Sequence, residues 1–216
     1  MSATEHQRRV TALLLQSIGP AGFALAGSGA IREHGITNRP TRDVDLFATS
    51  TTSPDAFNQA LERAEQTLRD AGFSFTRTRA APLFARLVVS GPSDEMVVVD
   101  LAVDWRLEPP VRLEVGPVLA LPDAVGSKVA AVFSRAEARD FLDLDAIRES
   151  RLYSDDALLS LAHEHDPGFD RVAFAHQLTY VTELNARDTI AYGVDAAMLE
   201  RVKQRLLSWT DELGNT

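Results

Sequence analysis

The sequence contains no cysteine in its 216 residues, which excludes disulfide bonds, thiol catalysis and cysteine-bound zinc. It also has no apolar run approaching the roughly 18 to 20 residues that span a membrane. The N-terminal segment, with Glu5, Arg8 and Arg9 ahead of a short apolar stretch, has no signal-peptide cleavage pattern. We therefore expect a cytoplasmic protein with no membrane segment.

Lysine is nearly absent as well. All but two of the 22 basic residues are arginine, and the exceptions are Lys128 and Lys203. A lysine ammonium is a compact point charge that fits against a triphosphate where a planar guanidinium is too wide, so Lys128 is a candidate phosphate ligand. The net charge of −9 argues against a protein that coats nucleic acid non-specifically, although it allows an enzyme that grips one RNA end.

Residues 23–47 contain the most informative pattern. A short apolar run is followed by Gly27-Ser28, a brief helical run, a loop, and then an Asp-x-Asp at Asp43 and Asp45. The alternation of apolar and acidic residues predicts a strand with both carboxylates on one face and their Cα atoms about 6.5 to 7 Å apart. Because such close carboxylates repel each other, the pair indicates a site for a hard cation such as Mg²⁺.

The glycine turn before the Asp-x-Asp is a candidate phosphate-binding element. A helix N-terminus with unpaired backbone N–H groups and no bulky Cβ can bind phosphate, so Gly27 and Ser28 are candidate nucleotide ligands. Each half has an ordinary interpretation too, because Asp-x-Asp can be a solvated strand end in a chain with 31 acidic residues and the glycines can form a simple turn. Together, phosphate binding beside a metal indicates nucleotide chemistry.

A third carboxylate is expected on the strand predicted at residues 96–103. Asp100 and Asp104 lie four residues apart and therefore share a face of that strand. A buried strand retains a carboxylate only where something pairs with it, so we choose Asp100, which three valines precede, and keep Asp104 as the alternative. Asp43, Asp45 and Asp100 would then hold two Mg²⁺ ions about 3.5 to 4 Å apart.

The composition changes near Pro122. Before it, the pattern predicts helices and strands in alternation; after it, the apolar spacing is helical throughout. We expect helices at 3–17, 54–70, 155–165, 170–184 and 195–213, with a helical pair beginning near 123, and strands at 73–79, 85–89 and 96–103. The boundary predicts a core in residues 1–121 and a helical region in residues 122–216.

Two motifs together resemble the AbiEii-type nucleotidyltransferases, the toxin family that includes the MenT-like toxins. The first combines Gly27-Ser28 with residues 41–47, TRDVDLF, and the second runs from Lys128 through an Ala-rich helix to Arg-x-x-x-Arg-Asp-x-x-Asp-Leu, ending at Leu144. The resemblance implies an α/β fold in which a nucleotidyltransferase-type mixed sheet is flanked by helices. It also implies that a C-terminal helical region contributes the second motif to the active site.

The resemblance further implies roles for individual residues. Asp43, Lys128 and Asp143 would be required for activity, and a nucleoside triphosphate (NTP) would donate nucleotides to the 3′ end of tRNA, blocking aminoacylation until a cognate antitoxin neutralises the enzyme. Thr41 is a candidate for regulatory phosphorylation, because some MenT-like toxins are silenced at this motif position. A loop or strand-start role is the alternative for Thr41.

Other interpretations remain open at this point. The acceptor can instead be a small molecule such as an aminoglycoside, or a protein, and the chain can be an inactive nucleotide-binding module. Lys128 and Asp143 can be no more than a salt-bridged helix pair. For the tRNA reading, a positive track is needed, and the candidate arginines are Arg32, Arg39, Arg42, Arg77, Arg79, Arg86, Arg135 and Arg139.

Overall fold

The computed structural model describes residues 3–41, 43–91 and 95–214. The chain divides into two compact units, one containing Met1–Glu33 and Thr41–Ala120 and the other containing His34–Pro40 and Leu121–Thr216. A short segment between the glycine turn and the Asp-x-Asp therefore belongs with the helical half of the chain. None of the described helices is both long enough and apolar enough to cross a bilayer.

The described part of the first unit is built on a mixed sheet of seven strands. They are β1 (Ala24–Leu25), β2 (Asp43–Thr49), β3 (Ser74–Ala81), β4 (Phe84–Ser90), β5 (Met96–Asp104), β6 (Val111–Leu113) and β7 (Gly116–Val118). Their order across the sheet is β3-β4-β5-β2-β1-β7-β6. β2 is parallel to β5 and antiparallel to β1, while β1 is parallel to β7. The predicted α/β fold with a mixed sheet is confirmed.

Three helices accompany this sheet: α1 (Ala3–Ile18), α2 (Gly27–Glu33) and α3 (Pro54–Asp70). The sequence explains the start of α3, since the Ser53 side chain accepts a hydrogen bond from the Ala56 N–H and Pro54 occupies the first turn. α1 and α3 pack together, with the Ser17 and Thr67 hydroxyls 2.7 Å apart. The buried side chains of β2 alternate with half-buried ones, so one sheet face forms the core and the other stays partly open.

The regular elements of the second unit are helices in its described residues. Its helices are α4 (Leu121–Ser134), α5 (Ala138–Ser150), α6 (Asp155–His165), α7 (Arg171–Thr179), α8 (Ala186–Thr189) and α9 (Ala196–Gly214), with 3₁₀ turns at Tyr180–Glu183 and Ile190–Tyr192. Phe174 and Trp209 are fully buried and meet edge to face at 5.3 Å between ring centroids. Gly126 of α4 lies so close to the Leu161 carbonyl of α6 that a Cβ would be only 2.6 Å away, which explains a glycine inside a helix.

Candidate active site

β2 presents Asp43 and Asp45 on one face of the sheet, as the alternation predicts. Val44 is buried on the opposite face, while both aspartates are half-buried. The Gln7 side-chain amide of α1 donates to the Asp43 carbonyl oxygen at 2.8 Å, which fixes the beginning of the strand. Two carboxylates therefore project from one side of a strand whose backbone is held in place.

Gly27 lies directly against Asp45. Its backbone has φ +57°, in the left-handed region that favours glycine, and a Cβ at this position would overlap the Asp45 carboxylate. The Ala26 N–H donates to the Asp45 carbonyl oxygen at 2.8 Å. The first turn of α2, with Gly27 and Ser28, is thereby placed beside the Asp-x-Asp; α2 begins at Gly27 itself, earlier than the helical run expected after the glycines.

Asp100 lies directly opposite Asp45 in the register of β5 and β2. The two residues therefore share a sheet face, on strands about 4.8 Å apart. Asp104 is opposite Thr49, near the other end of β2, and its carboxylate accepts a hydrogen bond from the Trp105 N–H at 2.8 Å. Of the two candidate third carboxylates, Asp100 is the one beside the Asp-x-Asp.

Arg86 of β4 binds the Asp100 carboxylate at two points. Its Nε donates to Oδ1 and its Nη2 to Oδ2, both at 2.6 Å, in the geometry that makes arginine–carboxylate pairs strong. The hydrogen bonds that Arg86 donates to Asp100 raise the pKa of Arg86 above its ordinary value; burial opposes this shift, and the charges of Asp100, Asp43 and Asp45 add to it. All three candidate carboxylates therefore raise the pKa of Arg86.

The donors fit a divalent cation in kind and in backbone register. Carboxylate oxygens are the ligands that Mg²⁺ prefers, and Asp43, Asp45 and Asp100 occupy one face of two paired strands. However, no group of three acidic or histidine side chains within the described ranges already surrounds one point. Arg86 binds both carboxylate oxygens of Asp100. For Asp100 to complete a metal site, Arg86 must share or release it.

Thr41, just before β2, lies in a small polar network. Its hydroxyl donates to Gln7 Oε1 and accepts from Arg32 Nη1, each at 3.1 Å. Arg42, the next residue, lies outside the described ranges. A phosphate on Thr41 would therefore be beside the Arg32 guanidinium and two residues from Asp43.

In the second unit, Asp143 of α5 is completely buried, and two cationic side chains contact its carboxylate. Arg39 donates to its two carboxylate oxygens at 2.6 and 2.7 Å, and Lys128 Nζ of α4 lies 2.9 Å from Oδ2. The Tyr192 ring covers Arg39, with 5.0 Å between the guanidinium carbon and the ring centroid. Lys128 and Asp143 are thus an ion pair, as in the structural alternative for them, and Arg39 completes a buried cluster.

The arginines expected to form a positive track are mostly neutralised by acidic partners. Arg79 has no carboxylate partner among the described ion pairs, and Arg42 is outside the described residues. Each of the other six forms an ion pair with a carboxylate: Arg32 with Glu33, Arg39 with Asp143, Arg77 with Glu65, Arg86 with Asp100, Arg135 with Asp140 and Arg139 with Glu137. Six of the eight candidate arginines are therefore already paired with carboxylates within the described residues.

Solved structures of other proteins share the fold of this chain. MenT4, a nucleotidyltransferase toxin from Mycobacterium tuberculosis H37Rv, has a solved structure that superposes with a TM-score of 0.64 at 18% identity, over 97% of this chain and 84% of that one. JHP933 from Helicobacter pylori superposes with a TM-score of 0.56 at 16% identity, over 100% of this chain and 96% of that one. No curated protein matches the sequence.

A family model described as the nucleotidyl transferase AbiEii toxin of type IV toxin–antitoxin systems matches residues 10–209. The chain belongs to the AbiEii nucleotidyltransferase toxin family. As an AbiEii protein it is a nucleotidyltransferase that takes an NTP as substrate, its family implies an antitoxin partner, and such enzymes generally use a divalent metal. The suspected family resemblance is confirmed.

The sequence indicates the candidate carboxylates and glycines of this AbiEii chain but not the arginines that pair with the carboxylates. Arg86 and Arg39 were considered only as RNA contacts, whereas the structure pairs them with Asp100 and Asp143. The contact between Arg86 and Asp100 can be anticipated from the sequence, because the predicted strands at 85–89 and 96–103 form a hairpin in which Arg86 can lie opposite an aspartate. The second joins residues 104 positions apart, beyond the reach of any local pattern.

Proposed function

We propose that this AbiEii enzyme transfers nucleotides from an NTP to the 3′ end of tRNA in a Mg²⁺-dependent reaction and so blocks translation. The observation that carries the proposal is the placement of Gly27 against Asp45, with Asp43 and Asp100 on the same face. This is the motif geometry that nucleotide transfer requires, in a chain of the AbiEii family. The inactive-module alternative is opposed because every candidate carboxylate and Lys128 are present.

Within the first unit, different residues would bind the metal ion and the triphosphate. Asp43 and Asp45 would hold the divalent ion and Asp100 would join them, while the backbone N–H groups at Gly27 and Ser28 would orient the triphosphate. A bound Mg²⁺ supplies charge neutralisation at the reacting phosphate. The side chains form no covalent intermediate, because positioning and electrostatics provide most of the catalysis in such transfers.

We also propose that Lys128 and Asp143 are required for the reaction, on the strength of the family motif. A buried lysine held by a carboxylate keeps a fixed position, and its compact ammonium group suits a phosphate ligand. Arg39 shares the same carboxylate, so Asp143 would set the position of both cations. Asp143 would then act as a positioning residue for Lys128.

A second acceptor class has one observation in its favour. Most candidate arginines of the described chain are neutralised by carboxylates, and the net charge is −9, so the surroundings suit a cationic acceptor such as an aminoglycoside. We favour tRNA over an aminoglycoside as the acceptor because the motif from Lys128 to Leu144 resembles that of the MenT-like toxins. The two candidates differ in which molecule becomes labelled.

The deciding experiment incubates the purified protein and Mg²⁺ with each labelled NTP in turn. Separate reactions contain total tRNA, an aminoglycoside panel, or neither. The proposal expects label on tRNA 3′ ends, lost when the terminal adenosine is blocked and absent with the Asp43→Ala variant. Label only on a small molecule establishes the second candidate, and label on neither acceptor contradicts both.

A further inference from the structure

One row of residues crosses the sheet face that carries the Asp-x-Asp. In the strand registers, Asp45 of β2 is opposite Asp100 of β5, Asp100 is opposite Arg86 of β4, and Arg86 is opposite Arg79 of β3. Residues opposite each other in neighbouring strands point to the same face. The row therefore changes from acidic at the centre of the sheet to basic at an edge strand, over three spacings of about 4.8 Å.

Arg79 differs from the other arginines of this region. A register shift between Arg77 and Arg79 places them on opposite faces of β3. Arg77 donates to Glu65 of α3 on the core side, whereas Arg79 is exposed on the side of the aspartates. Among the described residues, no acidic side chain forms an ion pair with Arg79, so its charge is available to a ligand.

An aromatic ring lies beside this free charge. The Arg79 guanidinium carbon is 5.8 Å from the centroid of Phe84, and Phe84 is only half-buried at the beginning of β4. An unpaired guanidinium next to an accessible ring can bind a phosphate while a base stacks on the ring or on the guanidinium plane. Sheet surfaces that bind single-stranded RNA use this combination.

We propose that Arg79 and Phe84 bind the acceptor strand a few nucleotides before its 3′ end, with single-stranded RNA as the ligand. The inference rests on the proposed function for the position of that end near Asp45. Three strand spacings make about 14 Å, and stacked nucleotides rise about 3.4 Å each, so Arg79 meets a phosphate about four nucleotides back. A cationic aminoglycoside gains nothing from this surface, because Arg79 repels it.

A purely structural role predicts different behaviour. Basic residues on an edge strand also discourage unwanted strand pairing, and in that case Arg79 affects solubility without affecting RNA binding. The matched control is Arg63, which is also exposed but lies on α3, the helix whose Glu65 contacts Arg77 on the opposite face. Arg79→Gln and Arg63→Gln remove the same charge from the two faces of the sheet.

The test measures binding of a short fluorescent single-stranded RNA ending in CCA to the full chain, without NTP or Mg²⁺. We expect Arg79→Gln and Phe84→Leu each to weaken binding about 5- to 10-fold, because the first removes a phosphate contact and the second removes a stacking surface for a base. The slope of log Kd against log salt should fall by about 0.7 in Arg79→Gln, because one phosphate contact is lost from a single strand. Arg63→Gln should match the wild type, and thermal unfolding of all variants verifies their folding.

The outcomes separate this inference from the proposed function. RNA binding that depends on Arg79 and Phe84, without any transfer to tRNA, supports the inference and removes the proposed acceptor. Transfer to tRNA with the same KM in Arg79→Gln, Phe84→Leu and Arg63→Gln keeps the acceptor and overturns the inference. Absence of RNA binding by the wild type also overturns it.

Discussion

At the scale of single residues, Asp43 and Asp45 can be replaced without opening the core, because both are half-buried on the less covered face of β2. Asp43→Ala or Asp45→Ala should reduce transfer by more than about 100-fold, since a catalytic metal provides several kcal/mol of charge stabilisation. The free energy of unfolding should change by less than about 1 kcal/mol. Asp104→Ala, which removes a carboxylate from the same face near the other end of β2, is the control and should keep near wild-type transfer.

Gly27 allows a separate test of the close approach to Asp45. Gly27→Ala adds a Cβ where the Asp45 carboxylate lies, at a backbone φ of +57°, so it should abolish transfer. Gly72→Ala has nearly the same backbone cost, with φ +78°, but its Cβ meets nothing within 4 Å. Gly72→Ala should lose about 1 kcal/mol of stability, and Gly27→Ala should lose more because of its overlap with Asp45. If Gly27→Ala retains the activity of Gly72→Ala, the contact with Asp45 has no part in catalysis.

The pairing of Arg86 with Asp100 predicts competition between a guanidinium and a metal. In Arg86→Gln, the Asp100 carboxylate is released, so Mn²⁺ titrated without nucleotide should bind about tenfold more tightly. Without metal, Arg86→Gln should unfold at a lower temperature than the wild type. This difference between the two proteins should shrink as Mn²⁺ is added, because the variant binds the ion more tightly. Unchanged or weaker Mn²⁺ binding would mean that Asp100 is not a metal ligand.

At the scale of elements, the cluster of Arg39, Lys128 and Asp143 joins α4, α5 and the segment 34–40. Removing the carboxylate in Asp143→Ala leaves two buried cations, so we expect a loss of about 3 to 5 kcal/mol in the free energy of unfolding. Asp145→Ala removes a neighbouring carboxylate of α5 whose partner, Arg205, is 32% exposed, and it should cost much less. Denaturant titration compares the two.

Lys128 can be tested apart from this stability effect. Lys128→Arg keeps the charge and the ion pair with Asp143, but its planar head is wider than an ammonium. The variant should unfold near the wild-type midpoint and lose most of its transfer activity. Full activity of a stable Lys128→Arg enzyme would leave Lys128 with a structural role alone.

Elements with strong local signals were predicted closely. Ser53 and Pro54 mark the start of α3, and the alternating runs gave β4 and β5 to within one residue at each end. The misses have physical reasons. The short hairpin of β6 and β7 and the single turn of α8 contain too few residues for a period to show, and the helix expected at 170–184 changes to a 3₁₀ turn after Thr179.

The candidate site was predictable in its acidic residues and less so in its cations. Period 2 alone places Asp43 and Asp45 together, and Asp100 follows from an acid within a buried strand. An arginine gives no comparable signal, because its long side chain reaches partners on other elements. The assignment of Arg86 to Asp100 therefore needed the strand register, and that of Arg39 to Asp143 needed the folded structure.

At the scale of the whole molecule, the net charge is −9, and phosphorylation of Thr41 would make it more negative close to the Asp-x-Asp. A phosphate there adds about −1.5 to −2 charges two residues before Asp43, where Arg32 can hold it. Thr41→Glu should therefore reduce transfer strongly, whereas Thr41→Val, which keeps the shape and removes the hydroxyl, should stay active. Mass spectrometry of the protein expressed with its neighbouring gene should find the phosphate; repeated absence of it during neutralisation contradicts this regulation.

The contact between Arg39 and Asp143 also has a consequence for protein synthesis. Arg39 leaves the ribosome 104 residues before its carboxylate partner, so every nascent chain carries this cation without its partner until α5 has emerged. A chain that stops early through ribosome stalling or a premature stop codon lacks Asp143 and cannot form the cluster. If Asp143 positions Lys128 as proposed, fragments of this toxin-family chain that end before Asp143 have no transfer activity.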